Sequence, residues 1–297
     1  MNRIDDLHKK LAQNAPATVC IACADDSNVL EAVAQAKDIA NFILVGDMHN
    51  TRAVAAACKV DISRSILVDE PDKAAACKMA VQLVATGKAK VLMKGQVDTS
   101  IIMKAVLDKD AGMRTGCKLS HLAVFEVPAY HKLLYVTDAA INIAPCVATK
   151  TGIIHNAVEA VLALGITRPK VALLAAKEKV DEKMPVTMEI AQLVASHKSM
   201  QTAIDKRFAL DGPLALDNAI CPDSVRIKGI ESSVAGDADI LVCPDIEAGN
   251  ILYKSLAFLA MAKGGGVVLG AKRPVILTSR ADSAESKLIS IMLGILS

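Results

Sequence analysis

Apolar runs and amphipathic stretches alternate along the first hundred residues. Strand-like runs fall at 18–24, 42–46, 66–69 and 91–94, each followed by apolar positions at helical spacing. Near-continuous apolar strands separated by helices predict a parallel sheet covered on both faces. Such sheets bind ligands outside the carboxyl ends of their strands. Ser27 is expected to cap a helix starting at Asn28, and Pro71 to sit in the first turn of the helix ending near Gly87. After Gly116 the pattern changes. Runs at 120–127 and 132–137 are joined by Pro128-Ala-Tyr-His131, which reads as a hairpin. A second series follows: helix 152–164, strand 171–175, helix 188–196, a run at 207–210 and a turn at Asp211-Gly-Pro213. Strand 240–242, helix 248–263, a break at Gly264-Gly-Gly266, short strands at 267–269 and 275–277, and helix 282–296 complete the chain. The fold class expected is α/β, with largely parallel sheets in two domains. Residues 1–119 with the returning segment 273–297 form the first, and 120–272 the second.

Composition narrows the function classes. Aromatics are only 2% of the 297 residues and Trp is absent, which argues against modules that stack nucleic-acid bases on aromatic rings. The formal net charge of +2 comes from interspersed cations and anions, so no strong field for DNA or an acidic membrane is expected. No apolar run reaches the roughly 18 residues of a membrane span, and the charged first ten residues lack a signal-peptide core. The expectation is a cytoplasmic protein without nucleic-acid or membrane partners. The eight cysteines lie mostly in apolar stretches, as reduced core thiols do. Cys20-Ile-Ala-Cys23 has redox or metal-pair spacing, but no second pair completes a site, so no metal is expected.

Four stretches carry candidate chemistry. Ser279-Arg280 stands where a short apolar run hands over to the last helix, so a hydroxyl and a guanidinium meet amide groups that favour anions. The competing reading is a capping box of Asp282 and Glu285 beside a solvated arginine. Lys94-Gly-Gln-Val-Asp-Thr99-Ser100 follows a strand and precedes a helix. Gly95 permits close backbone approach there, and Thr99 offers a hydroxyl for a phosphate or a thioester carbonyl; an N-cap and tight turn would use the same residues. The stretch is neither a Walker loop nor a GxGxxG fingerprint. Arg114 between Gly112 and Gly116 suits an anion loop, and Gly249-Asn250 after a short strand suits a ligand lining or plain turn chemistry. Asp211 and Asp217 lack the Cys or His partners of a metal site, and the six histidines show neither HExxH nor GxSxG. His121 reads as a partly buried imidazole rather than a base.

Taken in order, these stretches resemble the phosphate acetyl/butyryltransferase family, with the closer likeness to its butyryl branch. The residues are Met93-Lys-Gly95 with Asp98-Thr99, Gly112-Met-Arg-Thr-Gly116 and Ser120-His-Leu-Ala-Val-Phe-Glu126. They continue with Thr137-Asp138, Asp211-Gly-Pro-Leu-Ala-Leu-Asp217 and Val234-Ala-Gly-Asp-Ala-Asp239. Last come Pro244-Asp-Ile-Glu-Ala-Gly-Asn250, Tyr253-Lys254 and Leu277-Thr-Ser-Arg-Ala-Asp-Ser283. The resemblance implies two α/β/α domains with the active cleft between them, and at least a homodimer. It implies interconversion of acyl-CoA plus phosphate with acyl phosphate plus free CoA, with CoA a substrate and no tightly bound cofactor.

In the acetyl branch the serine and arginine of the terminal motif act at the reacting centre, which carries over to Ser279 and Arg280. Lys94, Gly95, Thr99, Lys104, Arg114, Gly249, Asn250 and Asp282 are the expected substrate-binding residues. Lys104 stands where the acetyl branch has an arginine, so the charge is kept and the bidentate fork lost. Ser286 stands where that branch has an aspartate proposed as base for the CoA thiol, and Ala257-Phe258 where it has a further arginine. Three other readings remain open: a phosphate acetyltransferase, a non-catalytic acyl-CoA sensor on the same scaffold, and a metal-dependent decarboxylating dehydrogenase. The last should show clustered Asp ligands that this chain lacks.

Overall fold

Short aspartate caps and buried strands build the amino-terminal half. The computed structural model describes residues 2–199, 205–279 and 281–297. Helix α1 (Ile4–Ala12) buries Ile4, Leu7 and Leu11 on one face. Then β1 (Ala17–Ala22), α2 (Ser27–Gln35), β2 (Ala40–Gly46), α3 (Met48–Ala57), β3 (Ile66–Asp69), α4 (Lys73–Ala85), β4 (Val91–Lys94) and α5 (Thr99–Val106) alternate as the pattern predicts. The carboxylates of Asp26, Asp47 and Asp72 cap α2, α3 and α4 by accepting from the backbone N–H of Val29, Asn50 and Ala75. The cap expected from Ser27 is therefore made by Asp26, and Pro71 precedes the cap of α4 instead of entering its first turn.

A second unit spans Lys118–Ala262. Strands β5 (Ser120–Glu126) and β6 (Leu134–Thr137) pair antiparallel, forming the expected hairpin. Then follow α6 (Val147–Ala163), β7 (Lys170–Leu174), α7 (Pro185–Ser199), β8 (Ala209–Leu214), α8 (Leu216–Ile220), α9 (Pro222–Lys228), β9 (Ile240–Val242) and α10 (Ile246–Lys254). The strand order is β5-β6-β9-β7-β8, parallel from β6 onward. The turn expected at Asp211-Gly-Pro213 lies inside β8. As the edge strand, β8 tolerates a proline that lacks an N–H. Past α10 the chain makes a π-helical turn at Ser255–Leu259, so the single long helix expected to 263 ends sooner.

The chain then returns to its first unit, which comprises Ile4–Cys117 and Lys263–Ser297. Strand β10 (Lys263–Leu269) pairs antiparallel with β11 (Val275–Ile276), β11 pairs parallel with β4, and α11 (Ala284–Leu296) closes the chain. The strand order there is β3-β2-β1-β4-β11-β10. Residues 263–272, expected with the second domain, thus belong with the first, because β10 is tied to β11 and α11. The three glycines expected to break the chain are strand residues. A Cβ on Gly265 would meet the Ser290 backbone N at 2.6 Å, so α11 packs against bare backbone. Among the described residues, no helix is long and apolar enough to cross a membrane.

Candidate active site

In the first unit, successive strands β1, β2 and β3 run out to one side of β1, while β4 and β11 lie on the other. The connections reverse direction between β1 and β4, the place where open α/β sheets leave a crevice beyond the strands' carboxyl ends. Three loops meet that description: 23–26 after β1, 95–98 after β4 and 277–283 after β11. The first two are tied together. Gly95 N–H donates to the Ala22 carbonyl at 2.8 Å and Gln96 N–H to that of Cys23 at 2.6 Å. Cys23 adopts the left-handed conformation (φ 57°), which turns the chain out of β1.

Lys94, at the end of β4, is only 4% exposed. Its ammonium donates to the carbonyls of Gly95 (3.2 Å) and Val97 (3.1 Å), bracing the loop that carries Gly95. Thr99 is exposed at the start of α5, whose N-cap residue Asp98 makes no side-chain capping bond. Lys104 is exposed on the last turn of α5. Arg114 is not gathered with these residues. Its neighbours Met113 and Thr115 bond to Lys272 and Gly270, which precede β11 at the amino ends of β4 and β11.

Residues 279 and 281–283 make two successive sets of capping hydrogen bonds. Ser279 N–H donates to the Asp282 carboxylate at 2.7 Å, Asp282 N–H reaches the Ser279 carbonyl at 3.2 Å, and the exposed Ser279 hydroxyl accepts from Ala281 N–H at 3.3 Å. Ser283 then caps α11, accepting from Ser286 N–H at 3.2 Å. The box expected from Asp282 and Glu285 is replaced by this arrangement, and Glu285 pairs with Lys263 at 2.7 Å. Asp282 therefore shapes the Ser279 turn. Arg280 lies outside the described residues. The Ser286 hydroxyl donates to the Gly264 carbonyl at 2.7 Å, so it ties α11 to β10 and is no substitute for a basic carboxylate.

Sequence reasoning missed Lys287, which reads as a solvated lysine on an amphipathic helix. It is 2% exposed, and its ammonium donates to the carbonyls of Ser279 (3.1 Å) and Asp282 (2.7 Å). Burial lowers its pKa from the ordinary lysine value, against the opposing pull of the Asp26 and Asp282 carboxylates. The thiol partner of Cys23 is Cys77 on α4 rather than Cys20. That hydrogen bond and burial push the Cys23 thiol well up, and burial pushes Cys20 up to about 12, so neither is a ready nucleophile.

In the second unit, Gly249 and Asn250 sit on α10, after β9. A Cβ on Gly249 would meet the Asp138 carbonyl oxygen at 2.2 Å, and the Asn250 amide donates to the Ala139 carbonyl at 3.2 Å. Both residues hold α10 against the segment after β6. Asp138, missed as a fixed point, is buried and accepts from the backbone N–H groups of Ala140, Ile141 and Asn142. His121 packs edge-on against Tyr253, with ring centroids 5.9 Å apart. Among the described residues no group of His, Cys, Asp and Glu could hold a metal ion.

Comparison with known proteins identifies the scaffold. Residues 73–295 match the family model described as phosphate acetyl/butaryl transferase. The chain is 42% identical over 294 residues to a phosphate butyryltransferase of Clostridium acetobutylicum, covering 98% of this chain and 97% of that one. It is 41% identical over 291 residues to a phosphate acetyltransferase of Rhizobium meliloti, covering 97% and 91%. The crystal structure of a branched-chain phosphotransacylase from Enterococcus faecalis superimposes with a TM-score of 0.84 at 37% identity, over 94% of this chain and 98% of that one.

Proposed function

The chain belongs to the phosphate acetyl/butaryl transferase family, and on that premise we propose that it transfers a short acyl group between CoA and inorganic phosphate, with butyryl-CoA as the acyl donor. The observation that carries the reading is the Ser279–Asp282 turn, set beyond the carboxyl ends of β4 and β11 in the unit that also carries the uncapped start of α5. An exposed hydroxyl and a helix N-terminus suit phosphate and a developing oxyanion.

A phosphate oxygen attacks the thioester carbonyl, the C–S bond breaks, and CoA leaves as thiolate while the acyl phosphate departs. The Ser279 hydroxyl donates to the carbonyl oxygen as charge builds there, and Arg280 holds phosphate in line with its bidentate fork. A thiol has a pKa of about 8.5, so the leaving group needs little protonation. Ser286 at the acetyl-branch aspartate position therefore costs least in the direction that releases CoA. Lys94 braces the Gly95 loop, Thr99 and Lys104 supply donors and charge on α5, and Asp282 keeps the Ser279 turn in shape. Gly249 and Asn250 hold α10 against the segment after β6, and Arg114 stands at the amino ends of β4 and β11, away from this site.

A second substrate reading rests on the near-equal likeness to a phosphate acetyltransferase. Acetyl and butyryl differ by two methylenes, each worth about 1–3 kcal/mol of discrimination, so the two readings separate by the ratio of kcat/KM for acetyl-CoA and butyryl-CoA. We also infer a homodimer joined through the second unit, where Ile251, Phe258, Leu259 and Met261 are 62–83% exposed. The activity is tested by phosphorus NMR of a mixture with butyryl-CoA and phosphate. The expected result is a butyryl phosphate signal growing in step with loss of inorganic phosphate. Free CoA without an acyl phosphate signal would refute it.

A further inference from the structure

A lysine buried to 2% exposure is costly unless its three donors are used. Lys287 on α11 spends two of them on carbonyls at the two ends of one turn, Ser279 at 3.1 Å and Asp282 at 2.7 Å. It makes no ion pair among the described residues; the acidic groups that bear on it are Asp26, the N-cap of α2, and Asp282. The Asp282 carboxylate is itself engaged by Ser279 N–H, and that of Asp26 by Val29 N–H. The ammonium is therefore held by backbone dipoles, with its positive charge left directly behind the Ser279 turn.

We propose that Lys287 is the positioning residue of the phosphate site: it pulls the carbonyls of Ser279 and Asp282 inward, fixing the turn so that its opposite side receives the anion. A trans peptide points its N–H away from its C=O. Drawing the Asp282 carbonyl onto the ammonium thus turns the Ser283 N–H the other way. The Ser279 hydroxyl is fixed in the same act, because its residue is held at the carbonyl by Lys287 and at the N–H by Asp282. Lys287 touches no reacting atom in this account. It acts through the shape of the turn and through the potential of a cation that makes no ion pair among the described residues.

The inference rests on the reading of the Ser279 turn as the reaction site, so Ser279→Ala is measured beside it. Lys287→Met keeps the volume and removes the donors and the charge. The expected result is a fall in kcat of roughly 100-fold, the cost of misplacing a reacting group by about 1 Å, with a raised KM for phosphate and an unchanged KM for butyryl-CoA. Lys287→Arg should recover part of kcat. Circular dichroism and the unfolding midpoint establish that the variants are folded; if Lys287→Met does not fold, Lys287→Gln is held to the same criteria. Wild-type kcat and phosphate KM in a folded Lys287→Met, with Ser279→Ala inactive, would overturn the role of Lys287 alone. Full activity in Ser279→Ala would overturn the site itself. An equal rise in KM for both substrates with kcat intact would mark Lys287 as merely structural and also overturn the proposal.

Discussion

The backbone of Gly95 lies so close to that of Cys23 that a Cβ at Gly95 would stand 2.0 Å from the Cys23 carbonyl oxygen. Real side chains never approach that closely, so the loops after β1 and β4 meet only because one of them has no side chain. Gly95→Ala is expected to force these loops apart. Overpacking of this kind costs about 1–3 kcal/mol, and the clash here is with backbone that cannot rotate away. A lowered unfolding midpoint together with reduced kcat checks it; a variant with wild-type stability and rate contradicts the role given to this contact.

Ser279 is exposed, so its removal should not disturb folding. Ser279→Ala is expected to lower kcat for butyryl-CoA by about 100- to 1000-fold, the usual cost of losing one oxyanion donor, with little change in KM. Steady-state kinetics in both substrates read this out.

Arg280→Ala is expected to lower turnover of butyryl-CoA with phosphate by at least about tenfold and to raise the KM for phosphate. Arg280→Lys should recover only part of the loss, because an ammonium lacks the planar fork that grips phosphate. Unchanged kinetics in a correctly folded variant would remove Arg280 from the account.

Asp237 anchors the other end of the second unit's sheet. Lys132 and Lys170 reach its carboxylate at 3.1 and 2.7 Å, and His131 lies at 2.9 Å. Burial alone would raise its pKa; hydrogen bonds from Lys170 and Lys132 outweigh that and bring it down to about 2. The folded value lies below the unfolded one of about 3.9, so the stabilisation is present above about pH 4 and lost as pH falls toward 2. The carboxylate is 38% exposed, which weakens the gain by solvent screening. Acid titration of the unfolding midpoint should show Asp237→Asn less stable than wild type at neutral pH, with the two curves converging near pH 2.

Leu259 and Phe258 are 83% and 62% exposed. Replacing both by Glu is expected to shift the sedimentation of the protein from dimer to monomer without changing its secondary structure. An unchanged mass would move the subunit contact elsewhere.

Much of the scaffold was legible because strand and helix periods are local. The four apolar runs from 18 to 94 became β1 to β4, and the hairpin after Ser120 was marked by its proline. Gly264-Gly-Gly266 misled because a glycine run signals a break unless something packs on it; here the backbone of α11 does. Asp211-Gly-Pro213 misled for a similar reason, since an edge strand accepts what a central strand refuses. The candidate site's loops drew notice by residue type: Gly95 permits close backbone approach, and Ser279 offers a hydroxyl beside a helix start. Lys287 was not, because its burial depends on a turn that folds over it from five to eight residues earlier. Arg114 drew notice by its flanking glycines, yet its segment is held at the opposite ends of β4 and β11. Proximity of that kind is decided by strand register, which spacing along the chain does not carry.

Release of free thiol from butyryl-CoA, followed as phosphate is raised from zero, separates acyl transfer to phosphate from hydrolysis and from binding alone. A rate that is negligible without phosphate, saturates with it and is not supported by sulfate is the predicted result. Thiol release independent of phosphate, or CoA binding with no release at any phosphate concentration, would contradict it.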